Sequence, residues 1–110
     1  MQEGTISFED FKKIDLRIAR VVEVKEHPDA DRLYVIQLDT GEETKQVVAG
    51  IRSEYSVDEL IGKKVVVVNN LDSVTLRGQE SNGMILCASS EGTPIILSPE
   101  KDVPQGTPVK

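Results

Sequence analysis

Residues 76–88 read Leu-Arg-Gly-Gln-Glu-Ser-Asn-Gly-Met-Ile-Leu-Cys-Ala: a guanidinium, two glycines and a Ser-Asn pair running straight into an apolar segment. The chemistry open to these groups is recognition by charge and hydrogen bonding. Gly78 and Gly83 carry no Cβ, so they tolerate positive φ and let a second backbone come close. A polar loop anchored by a core strand presents its side chains in fixed places. Reactive groups elsewhere are few. Cys87 is the only cysteine, which rules out an intrachain disulfide or a cysteine zinc site, and within an apolar run it reads as a small buried hydrophobe. His27 is the only histidine, so no multi-histidine metal site can form. No Gly-x-Ser-x-Gly elbow supplies it with a nucleophile. Binding is supported over catalysis, and no cofactor or metal is implied.

The elements that must position these residues follow from patterning. Ser7 caps a short helix over 8–13, whose Phe8 and Phe11 share one face; that face is expected to pack on the core, with a dimer contact as the alternative. A strand spans 16–26, with Leu16, Ile18, Val22 and Val24 inward and Arg20 as the break, which predicts a bulge near Ala19–Arg20. Pro28 and the aspartates around it make 27–32 a turn. Strands follow at 33–39 and 45–51, then a helix over 56–62 capped by Ser56 and ended by Gly62. The next strand, 64–69, holds four consecutive valines and should be buried on both faces. A fifth strand is expected at 84–88 and a sixth at 94–98. The tail, 103–109, is too proline-rich for a central strand and should run extended along a surface.

Three strands, a helix and two strands make an all-β protein: an OB-fold, the five-stranded Greek-key barrel, with short helices and extensions at 1–14 and 99–110. All 110 residues are expected to form one domain. Such barrels bind oligonucleotides on strands 2 and 3 between two flanking loops, here 27–32 and 72–82. The apolar runs are far too short to span a bilayer, and no segment reads as a signal peptide, so the expected location is cytoplasmic. An apolar fraction of 38% is low enough to suggest a covered surface, by a subunit or a partner.

Four stretches together resemble the tRNA-binding domain family. They are Asp15-Leu16-Arg17-Ile18-Ala19-Arg20-Val21-Val22, His27-Pro28-Asp29-Ala30-Asp31-Arg32-Leu33-Tyr34, Val47-Val48-Ala49-Gly50-Ile51, and Leu76-Arg77-Gly78 with Ser81-Asn82-Gly83-Met84-Ile85-Leu86-Cys87-Ala88. That domain is appended to many bacterial methionyl-tRNA synthetases and also occurs as a free-standing protein or small subunit. The resemblance implies a non-catalytic homodimer that binds tRNA by shape at the outer corner of the L, with a methionyl-tRNA synthetase catalytic chain as a candidate further partner. Carried onto this sequence, the RNA-facing residues are Arg32, Arg77, Ser81, Asn82 and Met84. Gly78 and Gly83 would let the RNA backbone approach, with Arg20 and Lys45 adding charge. Ala19 stands where the family usually has glycine, and Asn82 where glutamine is frequent.

Within that framework the guanidinium groups of Arg32 and Arg77 suit phosphate, unless Asp29 or Asp31 holds Arg32. Ser81 and Asn82 suit sugar or base edges. His27, Pro28, Asp29 and Asp31 fix the loop, since carboxylates repel phosphate. A net charge of −6 argues against nucleic acid if taken alone. The acids, however, cluster at 42–43, 54, 58–59 and 100–102, while Arg17, Arg20, Arg32, Lys45, Arg52 and Arg77 lie on the strands and loops expected to line the site. Few aromatics favour folded RNA over single strands. The main alternative is a dimeric OB-fold export-related chaperone that binds polypeptides; its family lacks a close match to the His-Pro-Asp-Ala-Asp-Arg-Leu run. No His-Ile-Gly-His or Lys-Met-Ser-Lys-Ser signature is present, so no residue here could activate methionine.

Overall fold

Strand β1 (Leu16–Glu26) ties the architecture together in the computed structural model, which describes residues 3–110. The first two residues of the expected N-terminal extension lie outside the described residues. From Leu16 to Arg20, β1 pairs antiparallel with β4 (Lys64–Val68). From Arg20 to Glu26 its other edge pairs with β2 (Tyr34–Asp39), which in turn pairs with β3 (Thr44–Ala49). At the far side β4 pairs with β7 (Met84–Ile85), giving the order β3-β2-β1-β4-β7. The Asn82 N–H donates to the Gln46 carbonyl at 2.8 Å, bridging from the β7 side back to β3. The sheet is thereby nearly closed into an OB-like all-β barrel.

The interior is filled by Ala19, Val21, Val24, Ile36, Leu38, Val47, Val65 and Val67, with Leu60 contributed by α2 (Val57–Leu60). That short helix exists because Ser56 and Glu59 form a reciprocal capping box, and Gly62 at φ +85 turns the chain into β4. Of the four valines, three are buried and Val66 is half-buried.

The β1 bulge falls between Val21 and Glu23, two residues beyond its expected place. One extra residue flips the inward set: Ala19 and Val21 face the core before it and Val24 after it, while Val22, expected inward, is 38% exposed. The first helix also departs from expectation. No residue of α1 (Phe8–Phe11) is buried, and Phe8 is 70% exposed, so its aromatic face does not pack on the core.

Past the barrel, the expected fifth strand divides at Leu86. Its N–H pairs with the Val66 carbonyl and its carbonyl accepts from Leu97, passing the chain from β7 to the hairpin of β8 (Cys87–Ser90) and β9 (Thr93–Ile96). The tail joins the sheet rather than only lying on it. Strand β10 (Pro108–Val109) pairs with Leu16 and Arg17 on the edge of β1 that β2 leaves free. Pro108 is tolerated because β10 has no further strand beyond it. Among the described residues, no helix is long and apolar enough to cross a membrane.

Candidate nucleic-acid interface

Segment 72–82, expected as a loop, contains a hairpin of β5 (Val74–Leu76) and β6 (Gln79–Ser81). Its turn is Arg77-Gly78, with φ of +51 and +88, the left-handed pair that a two-residue hairpin turn requires. Gly78 meets this freely; Arg77 is a bulky residue held where such residues rarely sit. The strain places an exposed guanidinium at the hairpin tip, and a Cβ on Gly78 would have nothing within 4 Å.

The tip leans against loop 27–32, which carries Arg32 and which the side chains of Arg77 and Arg52 both reach. Arg77 Nη1 donates to the Asp29 carbonyl at 3.3 Å. Arg52 Nη1 donates to the Ala30 carbonyl at 3.4 Å, and its Nη2 pairs with Glu26 at 2.9 Å. The Arg52 backbone N–H also donates to the Arg32 carbonyl. Arg32 itself is exposed, and among the described residues neither Asp29 nor Asp31 forms an ion pair with it. Arg52 was recognisable from the sequence only as one of several scattered cations; its convergence on the loop depends on the chain returning after β3.

Beside the loop, the outer faces of β1, β2 and β3 form a shallow floor that includes Glu23, Lys25, Val35, Gln37 and Gln46. Gln37 Nε2 donates to Gln46 Oε1 at 2.9 Å, and Gln46 Nε2 donates to the Glu80 carbonyl at 2.8 Å, so paired amides carry the hairpin base. An open polar groove of about 660 Å³ continues past Gln46 toward Leu71, Ser73 and Asn82. Asn82 is half-buried on its wall, and Met84 is 47% exposed on β7. The expected placement of Met84 in a buried strand therefore fails, which leaves its side chain accessible.

Other expected RNA-facing groups are committed inside the fold. Ser81 is 3% exposed: its hydroxyl accepts from Val48 N–H at 2.9 Å and donates to the Gly83 carbonyl at 3.1 Å, joining the hairpin to β3. Gly83, at φ +152, is buried; a Cβ there would meet the Val68 carbonyl oxygen at 2.9 Å, so the close approach it permits is that of β4. Lys45 has a side chain only 13% exposed, and its ammonium donates to the Asn69 carbonyl at 2.6 Å and to Asn69 Oδ1 at 3.0 Å. Arg20 is exposed but sits opposite Lys64 and Asp39, about 20 Å along β1 from loop 27–32 at the usual strand rise. The structure thus gathers Arg32, Arg52, Arg77 and Gly78 at one end of the barrel, with Asn82 along the groove.

A second polar knot lies near the barrel's other end. Asp15 accepts from Asn69 at 3.0 Å and from Arg17 at 2.6 Å, and Arg17 Nη1 reaches the tail at the Gly106 carbonyl. The Asn69 hydrogen bond, the largest influence, outweighs the opposing effect of burial and, with the Arg17 hydrogen bond and the Arg17 and Lys45 charges, holds the Asp15 carboxyl below its ordinary range. Burial pushes the Cys87 thiol upward, which keeps it protonated and unreactive. No group of histidine, cysteine and carboxylate side chains among the described residues is arranged to hold a metal ion.

A nearly closed OB-like barrel that presents Arg32 and Arg77 exposed at its loop end has the architecture of a binding module. Residues 16–108 match the family described as "Putative tRNA binding domain", and the chain belongs to that family. It is 44% identical over 105 residues to the methionine–tRNA ligase of Pyrococcus horikoshii and 47% identical over 105 residues to that of Pyrococcus furiosus. Each alignment covers 96% of this chain but only 14% of the ligase, so the chain spans about a seventh of the length of these relatives. Among solved structures, a MetRS-related protein from Pyrococcus horikoshii superposes with a TM-score of 0.91 at 27% identity over the whole of both chains. The chaperone CsaA of Bacillus anthracis superposes with a TM-score of 0.87 at 31% identity, covering 97% of this chain and all of the chaperone.

Proposed function

We propose that the protein is a non-catalytic module that binds folded tRNA, contacting its outer corner through phosphate and shape in support of a methionyl-tRNA synthetase. The observation that carries this reading is that the Arg52 and Arg77 side chains both reach loop 27–32, which carries the exposed Arg32, in a chain whose net charge is −6. Arg52 is paired with Glu26, but Arg32 and Arg77 are exposed and form no ion pair among the described residues, and exposed guanidinium groups orient a polyanion. RNA recognised by backbone and shape needs such donors and few stacking platforms, and the chain has only two tyrosines, two phenylalanines and no tryptophan. Exposed Met84 and the Asn82 wall supply apolar and amide contacts alongside.

The proposal includes a homodimer. An apolar groove of about 580 Å³ runs between Phe8, Phe11, Ile14 and Leu16 on one side and Pro108 and Val109 on the other. It lies among elements other than loop 27–32 and the Arg77 turn, so a second copy could cover it while leaving the guanidinium cluster free. The chaperone neighbours favour a second reading, in which this same groove takes unfolded polypeptide. The experiment is a competition titration. Folded tRNAs with different anticodons should displace a labelled tRNA about equally, unfolded tRNA should displace it poorly, and a separate titration should show no binding of unfolded polypeptide. Strong preference for one anticodon, better competition by unfolded tRNA, or binding of unfolded polypeptide rejects the proposal.

A further inference from the structure

We infer that His27 is the positioning residue that fixes where the Arg77 guanidinium is presented, an inference that rests on the RNA-binding reading above. The ring is 3% exposed and spans two elements. The Asp29 N–H donates to His27 Nδ1 at 3.0 Å, so that nitrogen carries no proton. The neutral ring therefore holds its proton on Nε2, which lies 3.0 Å from the Leu76 carbonyl oxygen and donates to it. Leu76 immediately precedes Arg77, and Arg77 Nη1 returns to the carbonyl of Asp29. The circuit closes on one residue: Asp29 gives its N–H to the ring and its carbonyl to the arginine.

Apolar burial does not hold the hairpin tip in place. Val74 is 50% exposed, Leu76 is 36% exposed, and Gly78 has open space around it. The hairpin base is fixed separately, by Gln46 to the Glu80 carbonyl and by the buried Ser81 hydroxyl. Between base and tip the turn carries a strained left-handed arginine, a conformation that persists only where the surroundings over-determine it. The imidazole and the guanidinium are those surroundings. His27 therefore acts on RNA through Arg77 without touching it.

Two substitutions in the full chain separate the two ring bonds. His27→Asn places an amide oxygen near the Nδ1 position and keeps the bond from Asp29, but its donor does not reach Leu76. His27→Gln places an N–H near the Nε2 position and keeps the bond to Leu76. If His27 positions the tip, the asparagine variant loses about five- to tenfold in tRNA affinity, while the glutamine variant stays within about threefold of wild type. Adding His27→Asn to Arg77→Ala should weaken binding less than about twofold further, because both act through one guanidinium. Asparagine and glutamine variants of equal affinity would overturn the inference. An Arg77→Ala variant of undiminished affinity would instead remove this site from the RNA reading, and the positioning role with it. Nitrogen NMR of the free protein reads the circuit without RNA: the ring should be protonated at Nε2, and protonation at Nδ1 would overturn it whatever the affinities.

Discussion

Arg77 carries more of the proposed function than its neighbours because of what surrounds it. One N–H rests on the Asp29 carbonyl, while the residue remains exposed and keeps four further donors. Arg77→Ala should weaken tRNA binding by about 1–3 kcal/mol, the range for charge-assisted hydrogen bonds, and leave thermal unfolding nearly unchanged. Arg77→Lys should recover only part of this, because an ammonium cannot reproduce a planar fork. Binding unchanged in the alanine variant would give Arg77 a purely local role. At this scale the sequence distinguished residue types better than residue duties. Ser81 and Arg77 both read as polar groups of one glycine-bracketed stretch. The hairpin ladder then turns Ser81 inward onto Val48 and leaves Arg77 at the tip. Gly83 reads as freedom for a ligand, yet the space it opens is filled by a β4 carbonyl. Such duties depend on partners distant along the chain, which local patterning does not reveal.

At the scale of elements, strand order was legible and strand detail was not. The stretch 16–26 is fixed by its length and apolar content, and its bounds match β1. The bulge at Val22 was hidden because two adjacent valines, Val21 and Val22, allow either to face inward. The tail's pairing was hidden because proline content argues against a strand, while a two-residue edge strand needs almost no N–H donors. Beside the β10 pairing, the polar knot at Asp15 ties the tail to the barrel through Arg17, and it sets an acid limit. Its carboxyl is held below the ordinary value in the folded state, so its contribution to stability is present above the unfolded pKa and disappears as pH falls through the folded one. Wild type should therefore lose stability on acidification below about pH 4 more steeply than Asp15→Asn. The two should converge at the acid end. A constant gap between the two denaturation midpoints across that window would contradict the assigned role of Asp15.

For the whole molecule, the proposed assembly and binding surfaces are different. Phe8 at 70% exposure, with the apolar groove beside it, is a costly surface to leave in water unless a second copy covers it. Sedimentation at micromolar concentration should show a dimer, and Phe8→Asp should give a folded monomer, because no residue of α1 is buried in the protomer. A wild-type monomer would refute this arrangement.

The central claim, that the guanidinium cluster around loop 27–32 holds RNA phosphates, is tested most directly by the salt dependence of tRNA affinity in wild type and in an Arg32→Ala/Arg77→Ala variant. With about four to six phosphates contacted, log K should fall with log salt at a slope of roughly −3 to −5. Removing both arginines should make that slope shallower by roughly 1.5. A wild-type slope near zero, or a slope unchanged in the double variant, would contradict the account.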